Sequence, residues 1–309
     1  MLDWKKSLFA LSLASLIAVP VGGAAEPVAK TQAEAQAEAA AEAASGAEKR
    51  ALAAQDPVIA EAAEALQETG KAVKALAEGD DEAATEALER AIGKLEVVLT
   101  QHPDLALAPV GVSSEVIDIL ASPEDIEAAK KRALRLMKDH QLQLARPIVT
   151  ALASEVRIET THVPLGSYPL ALKSAAALIQ TDQTEAAGEV LAQALGTLVV
   201  KETIIPLPFI NSVYLIDQAR ALSEKKDRTE EENTLLAALL DAIDLEIARG
   251  EALEYGGENA FTPLKAEMNA IREKLKDGGS GKGVFDKLRG MFDILGREHE
   301  AATRKNAAQ

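Results

Sequence analysis

A chain of 309 residues with 33 Lys+Arg against 49 Asp+Glu carries a formal charge of −16 and contains no cysteine. The missing cysteines exclude disulfides, thiol nucleophiles and Cys-ligated zinc or iron–sulfur sites, and the acid excess argues against a general nucleic-acid binder, which needs a basic face for phosphates. With 48% hydrophobic but only 3% aromatic residues, a chain rich in Ala, Leu and Glu has material for a sizeable core and favours helices.

Lys5 and Lys6 precede an apolar run from Ser7 to Val19, then Pro20 and the small residues Gly22, Gly23, Ala24 and Ala25. This charged, apolar, small-residue order is that of a secretory signal peptide over 1–25, with cleavage after Ala25. The competing reading, an uncleaved anchor, needs about 20 apolar residues, which the run does not reach. The expectation is an exported, periplasmic protein without stable membrane insertion. In the Ala/Glu-rich stretch 26–55, Glu34, Glu38 and Glu42 recur every fourth residue and fall on one helical face. No large apolar residue accompanies them, so the stretch reads as a solvated spacer.

The main domain is expected over 56–277. Asp56-Pro57, Ser122-Pro123 and Thr262-Pro263 each read as a helix start, a capping residue followed by proline in the first turn. Aligning Gly79–Pro103, His140–Pro164 and Asp182–Pro206 reveals a degenerate repeat. Ala84, Ala145 and Ala187 share a column, as do Leu88, Val149 and Leu191, then Leu95, Val156 and Leu198, then Val97, Ile158 and Val200, then Thr100, Thr161 and Thr203. The early columns have helical spacing and the later ones strand spacing, so each copy predicts a helix running into a short extended segment closed by proline. Leu88, Val149 and Leu191 should be equivalent buried positions on three helices. Strand chemistry is strongest in 156–163 and 198–205, which predicts a two-stranded β-ribbon with a helical hairpin, 169–180 and 184–197, between its strands. Helices over 208–223 and 229–250 complete the domain, the latter with Leu236, Leu239, Leu240, Ile243 and Ile247 on one stripe. A Gly-rich linker, 278–283, leads to an amphipathic helix within 284–309, whose Phe285, Leu288, Met291, Phe292 and Leu295 form a candidate interaction stripe. The fold class is therefore mainly α, a multi-helix domain with degenerate repeats and a short two-stranded β-ribbon.

Residues 145–172, ARPIVTALASEVRIETTHVPLGSYPLAL, and 198–208, LVVKETIIPLP, together with 104–110, DLALAPV, resemble the YfdX family of bacterial proteins over roughly 57–276. The resemblance implies a mainly helical, exported, self-associating protein linked to acid or heat stress in Gram-negative bacteria. It further implies chaperone-like protection of unfolded client proteins, with no enzymatic activity established for the family. The Ala/Glu-rich stretch 26–55 and the segment after Gly278 lie outside the family pattern.

Nothing in the sequence adds a reaction to that picture. His102, His140, His162 and His299 stand apart from one another and from carboxylates at metal-ligand spacing, the glycines near 278–283 follow no strand, and Ser113, Ser114 and Ser154 lack a nucleophile-elbow context. No catalytic, metal or cofactor residue is assigned and no cofactor is expected. Tyr168, inside the family motif, and Thr161 and Thr203 of the threonine column are the candidate ligand or client contacts; each also reads as a structural residue. The favoured function is a periplasmic stress-response homo-oligomer with chaperone-like activity and no catalysis. The alternatives are a helical-repeat scaffold or small-ligand-binding module, and, third, an enzyme.

Overall fold

The computed structural model describes residues 31–55, 57–257, 259–276 and 281–307. In chain order its elements are α1 (Gln32–Ser45), α2 (Ala47–Ala53), α3 (Ala60–Glu78), α4 (Asp81–Gln101), β1 (Leu107–Asp118), α5 (Pro123–Lys138), α6 (Leu142–Ala151), β2 (Ser154–Pro164), α7 (Tyr168–Ile179), α8 (Thr184–Gly196), β3 (Val199–Pro206), α9 (Leu207–Ser223), α10 (Glu230–Ala252), α11 (Thr262–Leu275) and α12 (Asp286–Ala307). The protein is mainly α, with one antiparallel sheet of order β1-β2-β3. The signal-peptide reading of 1–25 and its cleavage point lie outside the described residues.

Three helical hairpins alternate with the three strands, and one local device turns each of them. Gly79, His140 and Asp182, the first column of the sequence repeat, all adopt left-handed backbone, with φ of 74°, 58° and 59°. At each turn the following amide reaches back five residues and the left-handed residue's own amide reaches back three: Asp80 to Ala75 and Gly79 to Leu76, Gln141 to Leu136 and His140 to Met137, Gln183 to Leu178 and Asp182 to Ile179. These are Schellman caps, which satisfy the last carbonyls of the first helix of each pair. Ala84, Ala145 and Ala187 are then buried, as are Leu88 and Leu191.

The repeat fails in two places. Val149 is 48% exposed, because α5 and α6 stand away from the bundle in which α4 and α8 are enclosed. Thr100 and Val97 are still helical in α4, where Val200 and Thr203 are already in β3. The first copy has a longer second helix and reaches its strand only at Leu107.

That strand, β1, corrects the two-stranded expectation. It pairs with β2 from Leu107↔Pro164 to Asp118↔Ser154, with a register irregularity between Pro109 and Gly111. Proline and glycine within the run hid it, yet an edge strand tolerates both. The predicted pairing of the other two strands stands, antiparallel from Glu155↔Pro206 to His162↔Val199.

The stretch expected as a spacer also differs. A capping box opens α1, with the Glu34 amide donating to Thr31 Oγ1 at 3.3 Å and the Thr31 amide donating to the Glu34 carboxylate at 2.9 Å. Glu34, Glu38 and Glu42 are exposed as the spacing requires. Behind them Ala35, Ala39, Ala43, Ala47 and Ala51 form a buried stripe. Ala39 and Ala43 join the core of α9 and α10, while Ala47 and Ala51 lie against Val156, Ile158 and Leu207. Small side chains let helix axes approach closely, so an alanine stripe packs without a bulky residue to announce it.

Two larger cores flank this contact. One gathers α3, α4, α7 and α8 around Leu88, Leu95, Leu172 and Leu191, and the other gathers α9 to α12 around Ile216, Ile243, Met268, Ile271 and Phe285. Local signals behave as expected at most helix starts. Ser122 Oγ accepts from the Asp125 amide at 3.1 Å, Thr229 and Glu232 form a second capping box, and Pro263 sits in the first turn of α11. At Pro57 the expectation moves: Asp56 lies outside the described residues and α3 begins at Ala60, after Ile59. The Gly-rich segment is described only from Gly281, whose amide donates to the Ser223 carbonyl at 2.9 Å.

His299 of α12 enters the second core edge-on to Tyr255, with ring centroids 5.5 Å apart, and to Phe209 at 6.3 Å. Burial lowers its pKa from the usual 6.5. A histidine whose folded-state pKa is depressed is kept neutral by the fold, so stability is lost as pH falls from about 6.5 through the folded value, while the unfolded chain takes up the proton. His299→Phe should therefore lose less thermal stability than the parent between pH 7 and pH 5; equal losses would show that His299 titrates normally.

Candidate functional site: a protruding cationic hairpin

The α5–α6 hairpin is built to stay together while offering most of its surface to solvent. Ile126 and Ala133 of α5 and Ala145 of α6 are buried, and nearly every residue between Leu134 and Thr150 is exposed. Leu134, Leu142 and Leu144 are 59%, 60% and 62% exposed, and Met137 is exposed with them at the hairpin's tip. Toward the root, Ile119, Ala128, Ala129, Pro147, Ile148 and Leu152 line an open cleft of about 530 Å³. Large apolar side chains left in solvent together on one hairpin mark a candidate interaction site.

The charge on this hairpin opposes that of the chain. Between Ala128 and Ala151 lie six cations, Lys130, Lys131, Arg132, Arg135, Lys138 and Arg146, and one carboxylate, Asp139. Lys130 bridges Glu127 and Glu254 at 2.8 Å each, tying α5 to the end of α10. Among the described residues the other five reach no carboxylate. Exposed leucines thus alternate with free positive charge on a protein of −16.

A buried polar network fixes the hairpin's root. Asp118 and Ser154, the last pair of the β1–β2 ladder, flank the hairpin in sequence. Ser154 Oγ donates to Asp118 at 2.8 Å, and the Arg249 guanidinium of α10 donates to Asp118, to Ser154 Oγ at 3.3 Å and to Glu246 at 3.3 Å. The Ser154 amide donates to the Tyr255 hydroxyl at 2.8 Å, and that hydroxyl donates to Glu155 at 3.0 Å. Burial pushes the Glu246 carboxyl up despite the opposing pull of Arg249, and burial likewise pushes the Tyr255 phenol far up. The network is an anchor: its charges are paired, enclosed and turned away from solvent.

The residues singled out in the sequence do not converge. Tyr168 is buried at the start of α7, where burial raises its pKa and the Thr69 hydroxyl works the other way. Thr161 pairs with Val200 and Thr203 with Ile158. Ile158 and Thr161 lie three residues apart on β2, so the two threonines occupy opposite faces of the sheet and share no site. Thr203 lines a separate groove. The stripe Phe285, Leu288, Phe292 and Leu295 is buried in the core, with Met291 partly so, and therefore serves the chain's own packing. His102 ends α4, His140 turns the α5–α6 hairpin, and buried His162 places Nδ1 2.9 Å from the Thr160 carbonyl. Among the described residues no group of three or more His, Asp or Glu is placed to hold a metal ion. The hairpin was missed because α5 reads as an ordinary charged helix; its clustered, unpaired cations beside Leu134 and Leu142 were the available signal.

This architecture defines a class: a mainly helical protein in which paired helices are inserted between the strands of a small antiparallel sheet. The YfdX protein family model matches residues 65–204, a narrower span than the resemblance in the sequence, and over that span the chain is similar to the YfdX family. A solved structure of Salmonella Typhi YfdX is similar at 17% identity, covering 48% of this chain and 93% of that chain with a TM-score of 0.35. No curated protein matches. No helix among the described residues is long and apolar enough to cross a membrane.

Proposed function

We propose that this chain is an exported, periplasmic stress-response protein with chaperone-like, client-protecting activity and no catalysis, and that it holds clients on the α5–α6 hairpin. The carrying observation is the hairpin's surface, on which Leu134, Met137, Leu142 and Leu144 face solvent. Apolar segments of an unfolding protein would cover these side chains at roughly 25 cal/mol per Å² of apolar area removed from water. The hairpin lies within the family-matched span, and the family resemblance supports the stress association and self-association. The N-terminal charged, apolar and small-residue order supports export.

The test is suppression of aggregation of an unrelated unfolding protein by the full chain, beside a Leu142→Glu, Leu144→Glu double variant. Both side chains are exposed, so stability should change by no more than about 0.5 kcal/mol per site, while most of the protection should vanish. Full protection by the variant would remove the hairpin from the role. Binding to anionic lipid vesicles with no protection of proteins would overturn the client reading and give the hairpin a membrane partner.

A further inference from the structure

We propose that a groove between α2, β3, α9 and α12 binds a single-chain amphipathic carboxylate. It has a volume of about 490 Å³ and takes Thr203, Ile204, Ile205 and Pro206 from the edge strand β3. Ala51, Ile205, Pro206, Phe209, Ile210 and Phe292 supply an apolar floor. Its rim carries Arg50, Arg297 and Thr203, with Asp293 and Glu300 beside them. Size, apolar floor and few polar groups are the pattern of a small-molecule site.

The arginines choose the ligand. The chain has 49 acids, yet among the described residues neither Arg50 nor Arg297 pairs with a carboxylate. Arg50 is held in place by stacking over the Tyr214 ring at 4.4 Å and by donating to the Ala43 carbonyl in the last turn of α1. Arg297 is exposed and free to close on an incoming anion. Asp293 lines the same groove, so the positive charge offered there is limited and suits a singly charged anion. A guanidinium matches one carboxylate in planar, bidentate geometry. The ligand that satisfies both halves has one carboxylate and an unbranched apolar tail. Apart from Thr203 and Ile204, the groove is made by elements outside residues 65–204, so the site belongs to what this chain adds to the family span.

The test is calorimetric titration of the full chain with decanoate, with 1-decanol as the neutral comparator. Decanoate should bind saturably at one site per chain, and 1-decanol at least about tenfold more weakly, the scale of one charge-assisted contact. Arg297→Gln should weaken decanoate about tenfold without changing the melting temperature. Gly296 also lines the groove, and a Cβ there meets nothing within 4 Å. Gly296→Leu should fill the groove and abolish binding while the helix is kept. Absent or non-saturable decanoate binding, equal affinity for 1-decanol, or unchanged binding by Gly296→Leu would each overturn the proposal.

Discussion

Replacing Arg249 with methionine is expected to destabilise the folded chain by about 3–5 kcal/mol at neutral pH, the cost of leaving buried carboxylates without their cation. Arg249 stands between Asp118 at the end of β1 and Glu246 one turn earlier on α10, and all three side chains are enclosed. Methionine keeps the volume and removes the charge, so Asp118 and Glu246 would face each other unneutralised. The pH dependence carries a definite sign. Burial already raises the folded-state pKa of Glu246. A carboxyl with a raised folded pKa stabilises the fold when protonated, so its penalty grows as pH rises through the window above the ordinary carboxylate range and shrinks on acidification. The deficit of the variant, read from urea midpoints, should therefore be smaller at pH 5.5 than at pH 7.5, and Glu246→Gln in the same background should recover part of it. A loss below 1 kcal/mol, or a deficit that grows on acidification, would show that the network is not an enclosed anchor.

Leu88→Ala and Leu191→Ala should each cost about 2–5 kcal/mol, the range for emptying a close-packed core position. Both side chains are fully buried in the bundle of α3, α4, α7 and α8. Val149→Ala, at the same column of the repeat, should stay within about 0.5 kcal/mol because the valine is half exposed. Chemical denaturation of the three variants measures the contrast. Equal losses at all three would mean that α6 is enclosed in solution by a contact beyond the single chain.

Much of the helical part was legible because its causes are local. Ser122 with Pro123, Thr229 with Glu232, and the stripe from Leu236 to Ile247 act through neighbours within one or two turns, and α5 and α10 begin where those residues require. The repeat has a local cause too: at Gly79, His140 and Asp182 the residue's own amide bonds three residues back and the next amide five residues back. β1 was not, since Pro109 and Gly111 argue against a strand until its edge position and pairing to β2 are known. The α1–α2 alanine stripe was not, since alanine is the best helix former in water and in a core alike. The candidate site was less legible than the fold. Thr161 and Thr203 share a sequence column but face opposite sides of the sheet, and the α12 stripe looked available until the second core covered it.

By itself the sequence determined the helix-rich class, the starts of α5, α10 and α11, the α7–α8 hairpin between two strands and the likeness to the YfdX family, because caps, prolines, apolar periods and a run of matching residues are read within short spans. Only the tertiary structure decided which apolar stripes are spent on the chain's own cores and which stay open. The stripe of α12 and the alanines of α1 and α2 found surfaces to cover, whereas Leu134, Leu142 and Leu144 found none. Burial is set by the elements that arrive on the other side, and those come from residues distant in sequence; an amphipathic period names the face that can be buried and cannot name its partner.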